Sequence, residues 1–223
     1  VKVYIDKYGR VYYKMISDPN SKDTDKDDID DKTDDDSLSY NITDKTLALL
    51  AGLSYNDLQR YSGKTISEIA KSKGELKNFD ANAVKKLGNA YVVGGVNATE
   101  SNVANQGMAY VTVMFSQYAK KTKVVIAYRG TELTNIGAVN DVKTDLKLGV
   151  GLDSAQSRAA YQYYKSMSSK TNFIYYLTGH SLGGRLVQDV LYKTYKNNDI
   201  VKPLHATTYN GLGYRVRIFD KLD

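Results

Sequence analysis

Along this chain apolar positions recur with two different periods, and each switch between them marks an element boundary. Residues 1–16 alternate: Val1, Val3 and Ile5 precede a polar turn at Asp6-Lys7-Tyr8-Gly9, and Val11, Tyr12, Tyr13 and Met15 resume after it. That pattern predicts a small hairpin. A helix is expected after a cap at Thr43 or Asp44, because Leu47, Leu50, Ala51 and Leu53 share one face. Shorter helical stretches follow at 56–61, 67–73 and Ala81–Leu87. Tyr91-Val92-Val93 reads as a strand, as does 109–118, which a polar turn at Lys120-Lys121-Thr122 joins to Lys123–Tyr128 as an antiparallel hairpin. Helical periods return at 139–148 and at 154–168, where Ala155, Ala159, Tyr163 and Met167 form one stripe. The pattern closes with an aromatic-rich strand at 173–178, a helix and a last strand at 205–210. Leu186, Val187, Val190, Leu191 and Tyr195 line one face of that helix. Strands separated by helices imply an α/β fold with a mostly parallel sheet.

The last strand–helix junction is where chemistry is concentrated. Phe173 to Thr178 runs directly into Gly179-His180-Ser181-Leu182-Gly183-Gly184. A strand, a glycine-bracketed serine and a helix are the context of a G-x-S-x-G nucleophile elbow. Glycines two before and two after the serine let strand and helix approach closely, and the serine sits on strained backbone at the tip of the turn. Its hydroxyl would face the helix N-terminus, where free N–H groups and the positive dipole end favour a developing oxyanion. The plainer alternative is a glycine-rich turn whose serine merely caps the helix.

Thr178-Gly-His-Ser-Leu-Gly-Gly184 resembles the elbow of the class 3 (fungal-type) lipases, an α/β-hydrolase family. Two further segments match that family in order: Val124-Val125-Ile126-Ala127-Tyr128-Arg129-Gly130-Thr131, followed by Asp141 and Asp145-Leu146, and then Thr207-Thr208-Tyr209-Asn210. Together they cover roughly residues 40 to 213. The resemblance implies acyl transfer through Ser181, with the oxyanion held by the N–H groups of Leu182 and Thr131. Arg129 is expected to be structural, paired with a carboxylate such as Asp141 or Asp145. Lipid, phospholipid or other acyl esters are the implied substrates.

Charge alters the picture at one end. Residues 17–36 hold ten Asp against three Lys, whereas the whole chain carries +6. Laid on a twelve-residue calcium loop, positions 1, 3, 5, 7, 9 and 12 become Asp23, Asp25, Asp27, Ile29, Asp31 and Asp34, with the Ile29 carbonyl as a ligand. The run resembles the calcium loops of thrombospondin type 3-like and dockerin-like repeats. It departs at Asp28, where such a loop wants glycine, and at Asp34, which replaces a bidentate Glu. The expectation is a structural Ca²⁺ in residues 1–38, as an appendage to a hydrolase domain over 39–223. A modest calcium affinity, together with the absence of cysteine, fits a secreted or cell-surface bacterial protein. The basic remainder is compatible with contact at an anionic membrane surface, but its scattered lysines and lack of any nucleic-acid motif argue against nucleic acid. No apolar run reaches the length of a membrane span.

The rest of a catalytic triad is not evident. Hydrolases of this fold order their triad Ser, Asp/Glu, His, and only His205 follows Ser181. His205 opens the last strand, about 16 Å from the sheet edge that carries the nucleophile. His180 adjoins the serine and points away from it. The acid and base are therefore expected beyond Asp223, in a hydrolase domain incomplete at its C-terminus. Two alternatives stand beside the lipase-type hydrolase: another serine acyl enzyme, such as a thioesterase or acyltransferase, and a non-catalytic binding or cell-surface module on the same scaffold.

Overall fold

A computed structural model describes residues 2–5, 11–14, 40–74, 76–96, 109–115, 122–130, 155–169 and 173–211. The first two segments are strands β1 (Lys2–Ile5) and β2 (Val11–Lys14), paired antiparallel as the alternation at the N-terminus predicts. The main body is a five-stranded sheet of β3 (Tyr91–Val96), β4 (Tyr110–Phe115), β5 (Lys123–Tyr128), β6 (Ile174–His180) and β7 (His205–Tyr209), lying in that order. β4 runs antiparallel to both of its neighbours, β3 and β5, whereas β5, β6 and β7 run parallel. This is the mixed sheet of an α/β fold.

The helices are α1 (Asp44–Leu53), α2 (Ile66–Lys73), α3 (Ala81–Leu87), α4 (Ala155–Ser168) and α5 (Leu182–Lys196). Alternation within β5 shows why both sheet faces must be covered. Val125 and Ala127 join a core with Leu47, Leu50, Leu53 and Ile66. Val124, Ile126 and Tyr128 point the other way and pack with Ala160, Tyr164, Leu186 and Val190. Each fully buried apolar side chain contributes about 1.5–3 kcal/mol, so both layers are needed. A strand buried on both faces reads as an unbroken apolar run, which is how Val124 to Tyr128 appears in sequence.

Caps fix the helix starts. Thr43 Oγ1 accepts from the Thr46 N–H at 3.2 Å, and Thr65 and Glu68 form a reciprocal capping box that opens α2. The helical stretch expected over 56–61 shrinks to a 3₁₀ turn at Gln59–Tyr61. Asn56 is the reason: its amide donates to the carbonyls of Leu53 and Lys77 and its oxygen accepts the Lys77 N–H. That bridge fixes the backbone outside a helix. β3 also runs three residues past the expected 91–93, because a bulge between Val92 and Gly94 lets the glycine pair keep to the ladder. The expected helix at 139–148 lies outside the described residues.

Candidate active site

β6 ends at His180, α5 begins at Leu182, and Ser181 is the single residue between them, with φ 54° and ψ −121°. A non-glycine residue at positive φ is uncommon and costs about 1–3 kcal/mol when held there. Neighbouring contacts enforce the turn. The Ser181 N–H donates to the Tyr209 carbonyl of β7 at 2.9 Å, and the Ser181 carbonyl accepts from the Arg185 N–H at 3.2 Å. The side chain of Ser181 makes no capping bond to α5. The plain helix-cap alternative therefore fails at the one contact that defines it.

The bracketing glycines act as the sequence predicts, through close approach. A Cβ on Gly179 would stand 2.4 Å from the Gly183 carbonyl carbon, and a Cβ on Gly183 would stand 2.1 Å from the Tyr128 carbonyl oxygen. Both obstacles are backbone atoms and have little room to yield. The first turn of α5 is thus pressed against the C-terminal end of β5, which brings the loop after Tyr128 beside the serine. Gly130 shows how near: a Cβ there would stand 3.1 Å from Ser181 Cβ and 2.5 Å from the His180 carbonyl oxygen. Leu182 occupies the first helical position of α5, where an N–H has no acceptor within its own helix. Thr131 follows Gly130 but lies outside the described residues, as do Asp141 and Asp145 and the whole acidic run containing Asp23, Asp25, Asp27, Ile29, Asp31 and Asp34.

One ion-pair partner of Arg129 lies upstream, in the segment after α1. The Arg129 guanidinium Nη1 pairs with Asp57 Oδ1 at 3.2 Å, and its Cζ lies 5.6 Å from the ring centroid of Tyr55. The Tyr55 hydroxyl in turn sits 2.8 Å from His180 Nδ1. Sequence reading missed Tyr55 and Asp57, which come from the irregular segment after α1 and carry no motif. A second unforeseen pair, Arg185 and Asp189, lies in α5 one to two turns from the serine. Its Nε–Oδ1 distance is 3.1 Å, and the two side chains are only 7% and 2% exposed. The i,i+4 spacing was the available signal. Asp189 offsets a buried cation near the positive end of the helix dipole, where a lone Arg185 would be unfavourable.

His205 stands opposite Tyr176 in the β6–β7 register, five residues before Ser181. Its Nε2 lies 3.0 Å from Asp44 Oδ1 and 3.0 Å from Thr207 Oγ1, and Thr207 donates to the same carboxylate oxygen at 2.8 Å. Hydrogen bonds from His205 and then Thr207 hold the Asp44 carboxyl below its ordinary value of 3.8. This cluster ties the start of α1 to the start of β7, at the opposite end of β7 from the elbow. Asp199 is likewise engaged elsewhere, accepting from Tyr161 Oη at 2.7 Å and pairing with Lys165 at 3.4 Å. An open groove of about 530 Å³ lies between α4 and α5, lined by Arg158, Tyr192, Lys193 and Lys196 among others. At about 1.5 Å per helical residue its lysines sit nearly 20 Å along α5 from Ser181, so it is no part of this site. Among the described residues no group of three or more His, Cys, Asp or Glu could hold a metal, and no helix is long and apolar enough to cross a membrane.

The sequence profile of a phospholipase-like family, described as a Tle-like phospholipase domain, matches residues 46–220. Among solved structures, the Lip2 lipase of Yarrowia lipolytica is similar with 14% identity and a TM-score of 0.36, over 64% of this chain and 49% of that one. The N225Q mutant of MDLA from Penicillium cyclopium gives 17% identity and a TM-score of 0.39, over 76% and 63%. A lipase from Rhizopus microsporus var. chinensis gives 12% and 0.34, over 77% and 58%. The chain thus spans between about half and two thirds of the length of these structures. Compared by sequence with curated proteins, it matches none.

Proposed function

The chain belongs to the phospholipase-like family of the Tle-like phospholipase domain, and on that premise we propose that it is a serine acyl-ester hydrolase of lipase or phospholipase type. The observation that carries the proposal is Ser181 itself, held at φ 54° between β6 and α5 with no capping role. In this reading the Ser181 Oγ attacks the ester carbonyl, and its proton passes to a general base and then to the departing alcohol. The C–O bond to the alcohol breaks and an acyl-Ser181 ester forms. Water then adds to that ester and releases the fatty acid. The N–H of Leu182 and that of Thr131 are the donors assigned to the tetrahedral oxyanion, a role worth about 3–4 kcal/mol per donor.

Both histidines of the chain are committed elsewhere, His180 to Tyr55 and His205 to Asp44 and Thr207. The base is therefore assigned outside the described residues. The test is turnover of short-chain p-nitrophenyl esters and of phospholipid vesicles by the whole protein beside Ser181→Ala. Turnover abolished by the alanine is expected; turnover that survives it would overturn the assignment.

The Asp-rich run is proposed to bind a structural Ca²⁺ through the Asp23, Asp25, Asp27, Asp31 and Asp34 carboxylates and the Ile29 carbonyl. A loop of that modest affinity fills only where calcium is millimolar, which supports a location at or beyond the cell surface. Calorimetric titration with Ca²⁺ should give one site that Asp23→Asn with Asp27→Asn removes. An unchanged isotherm would refute it.

A further inference from the structure

We propose that Tyr55 is a positioning residue of the acyl-transfer site, fixing the loop after β5 through His180 and Arg129. The inference rests on the Ser181 reading and adds a residue from outside the strand–turn–helix unit. Four observations converge on it. The Tyr55 hydroxyl lies 2.8 Å from His180 Nδ1, next in sequence to the serine. Its ring lies 5.6 Å from the Arg129 guanidinium, whose side chain is 5% exposed and is anchored to Asp57 at 3.2 Å. A Cβ on Gly130 would stand 2.6 Å from Tyr55 Oη, so the hydroxyl also packs on the Gly130 backbone. The same point lies 3.1 Å from Ser181 Cβ, so Tyr55 Oη stands within about 6 Å of the nucleophile's own Cβ.

These contacts do what Gly130 cannot do for itself. A glycine has no side chain to pin its backbone and loses the most conformational freedom on ordering. Yet the residue after it is the assigned second oxyanion donor, and such a donor works only if it is fixed before charge develops. Tyr55 holds the loop from outside at two points. Its ring carries the Arg129 side chain before Gly130, and its hydroxyl spans from the Gly130 backbone to His180 beside the serine. One rigid aromatic side chain thereby sets the spacing between Gly130, which the assigned donor follows, and His180, which precedes the serine. A misplacement of about 1 Å there can cost on the order of a hundredfold in rate.

Tyr55→Phe keeps the ring against Arg129 and removes only the hydroxyl. In the whole protein the rate of Ser181 labelling by a fluorophosphonate should fall about tenfold, with kcat for a p-nitrophenyl ester falling equally and KM and Tm nearly unchanged. In a His180→Gln background the same change should cost less than about twofold more, because the two side chains act as one unit. Amide hydrogen exchange over residues 128–130 reads the loop without any chemistry and should quicken in Tyr55→Phe. Exchange like that of the wild type would overturn the proposal whatever the rates do, as would a loss that lies wholly in KM or Tm. A wild type that never labels, with faster exchange in Tyr55→Phe, would sink the acyl-enzyme reading and leave only the fixing of the loop by Tyr55.

Discussion

Replacing Ser181 by glycine should stabilise the fold relative to replacing it by alanine, which reverses the usual order of those residues. Both changes remove the hydroxyl, so both remove the nucleophile, and they differ only in the Cβ. At φ 54° and ψ −121° that Cβ is held in a region L-residues avoid, at a cost of about 1–3 kcal/mol. Glycine releases that strain but leaves a more flexible unfolded chain, which takes back about 0.4–1 kcal/mol. The difference leaves glycine ahead by roughly 1 kcal/mol, or about 2–4 °C in Tm for a chain of this size. Urea unfolding of the two variants, compared at equal m, measures it. Ser72, exposed within α2, is the internal control: there glycine should fall below alanine by about 1 kcal/mol. If Ser181→Gly proved equal to or less stable than Ser181→Ala, the turn would not be strained and the elbow reading would lose its physical basis.

Three further outcomes follow from the same geometry. Gly183→Ala puts a Cβ 2.1 Å from the Tyr128 carbonyl oxygen and should cost about 3 kcal/mol, whereas Gly63→Ala, with open space around it and φ +86°, should cost about 1 kcal/mol of strain; similar Tm losses for the two would contradict the packing described. Burial pushes the phenols of Tyr110, Tyr128, Tyr163 and Tyr164 above the ordinary value of 10.0. Their contribution to stability is therefore full below pH 10 and is lost as the pH rises beyond it, so phenolate absorbance should show these rings ionising only as the chain unfolds. Asp44 has the opposite sign: its carboxyl is held below 3.8 by His205 and then Thr207, so its contribution is present above that pH and is lost as the pH falls below it. NMR titration of Asp44 should move up toward 3.8 in His205→Ala, and an unmoved titration would refute the bond.

What was readable in the sequence was whatever depends on local period and on backbone. The continuous apolar run of β5, the antiparallel step from β4 to β5 and the turn at Ser181 all follow from side-chain alternation and from glycines that let chains touch. Element ends were less legible, because tertiary bonds decide them. Asn56 bridges to Lys77 across 21 residues and stops a helix that its neighbours would otherwise continue. The surroundings of the elbow were least legible. The downstream acids expected for Arg129 lie outside the described residues, and the partner described is Asp57, 72 residues upstream. Tyr55 meets His180 across 125 residues. No spacing rule reaches that far, since such contacts exist only once α1 and the segment after it have folded over the sheet. Among twenty tyrosines in the chain, nothing in the sequence sets this one apart.

The central claim is that Ser181 is the nucleophile, and the most direct measurement is to find where an acyl-site reagent bonds. The whole protein would be treated with a fluorophosphonate ester, weighed intact, digested and mapped by mass spectrometry. A single adduct on the peptide containing Gly179-His180-Ser181-Leu182, lost in Ser181→Ala, is the predicted result. No adduct, or an adduct on a different serine, would contradict the claim and leave the turn as a structural feature of the sheet.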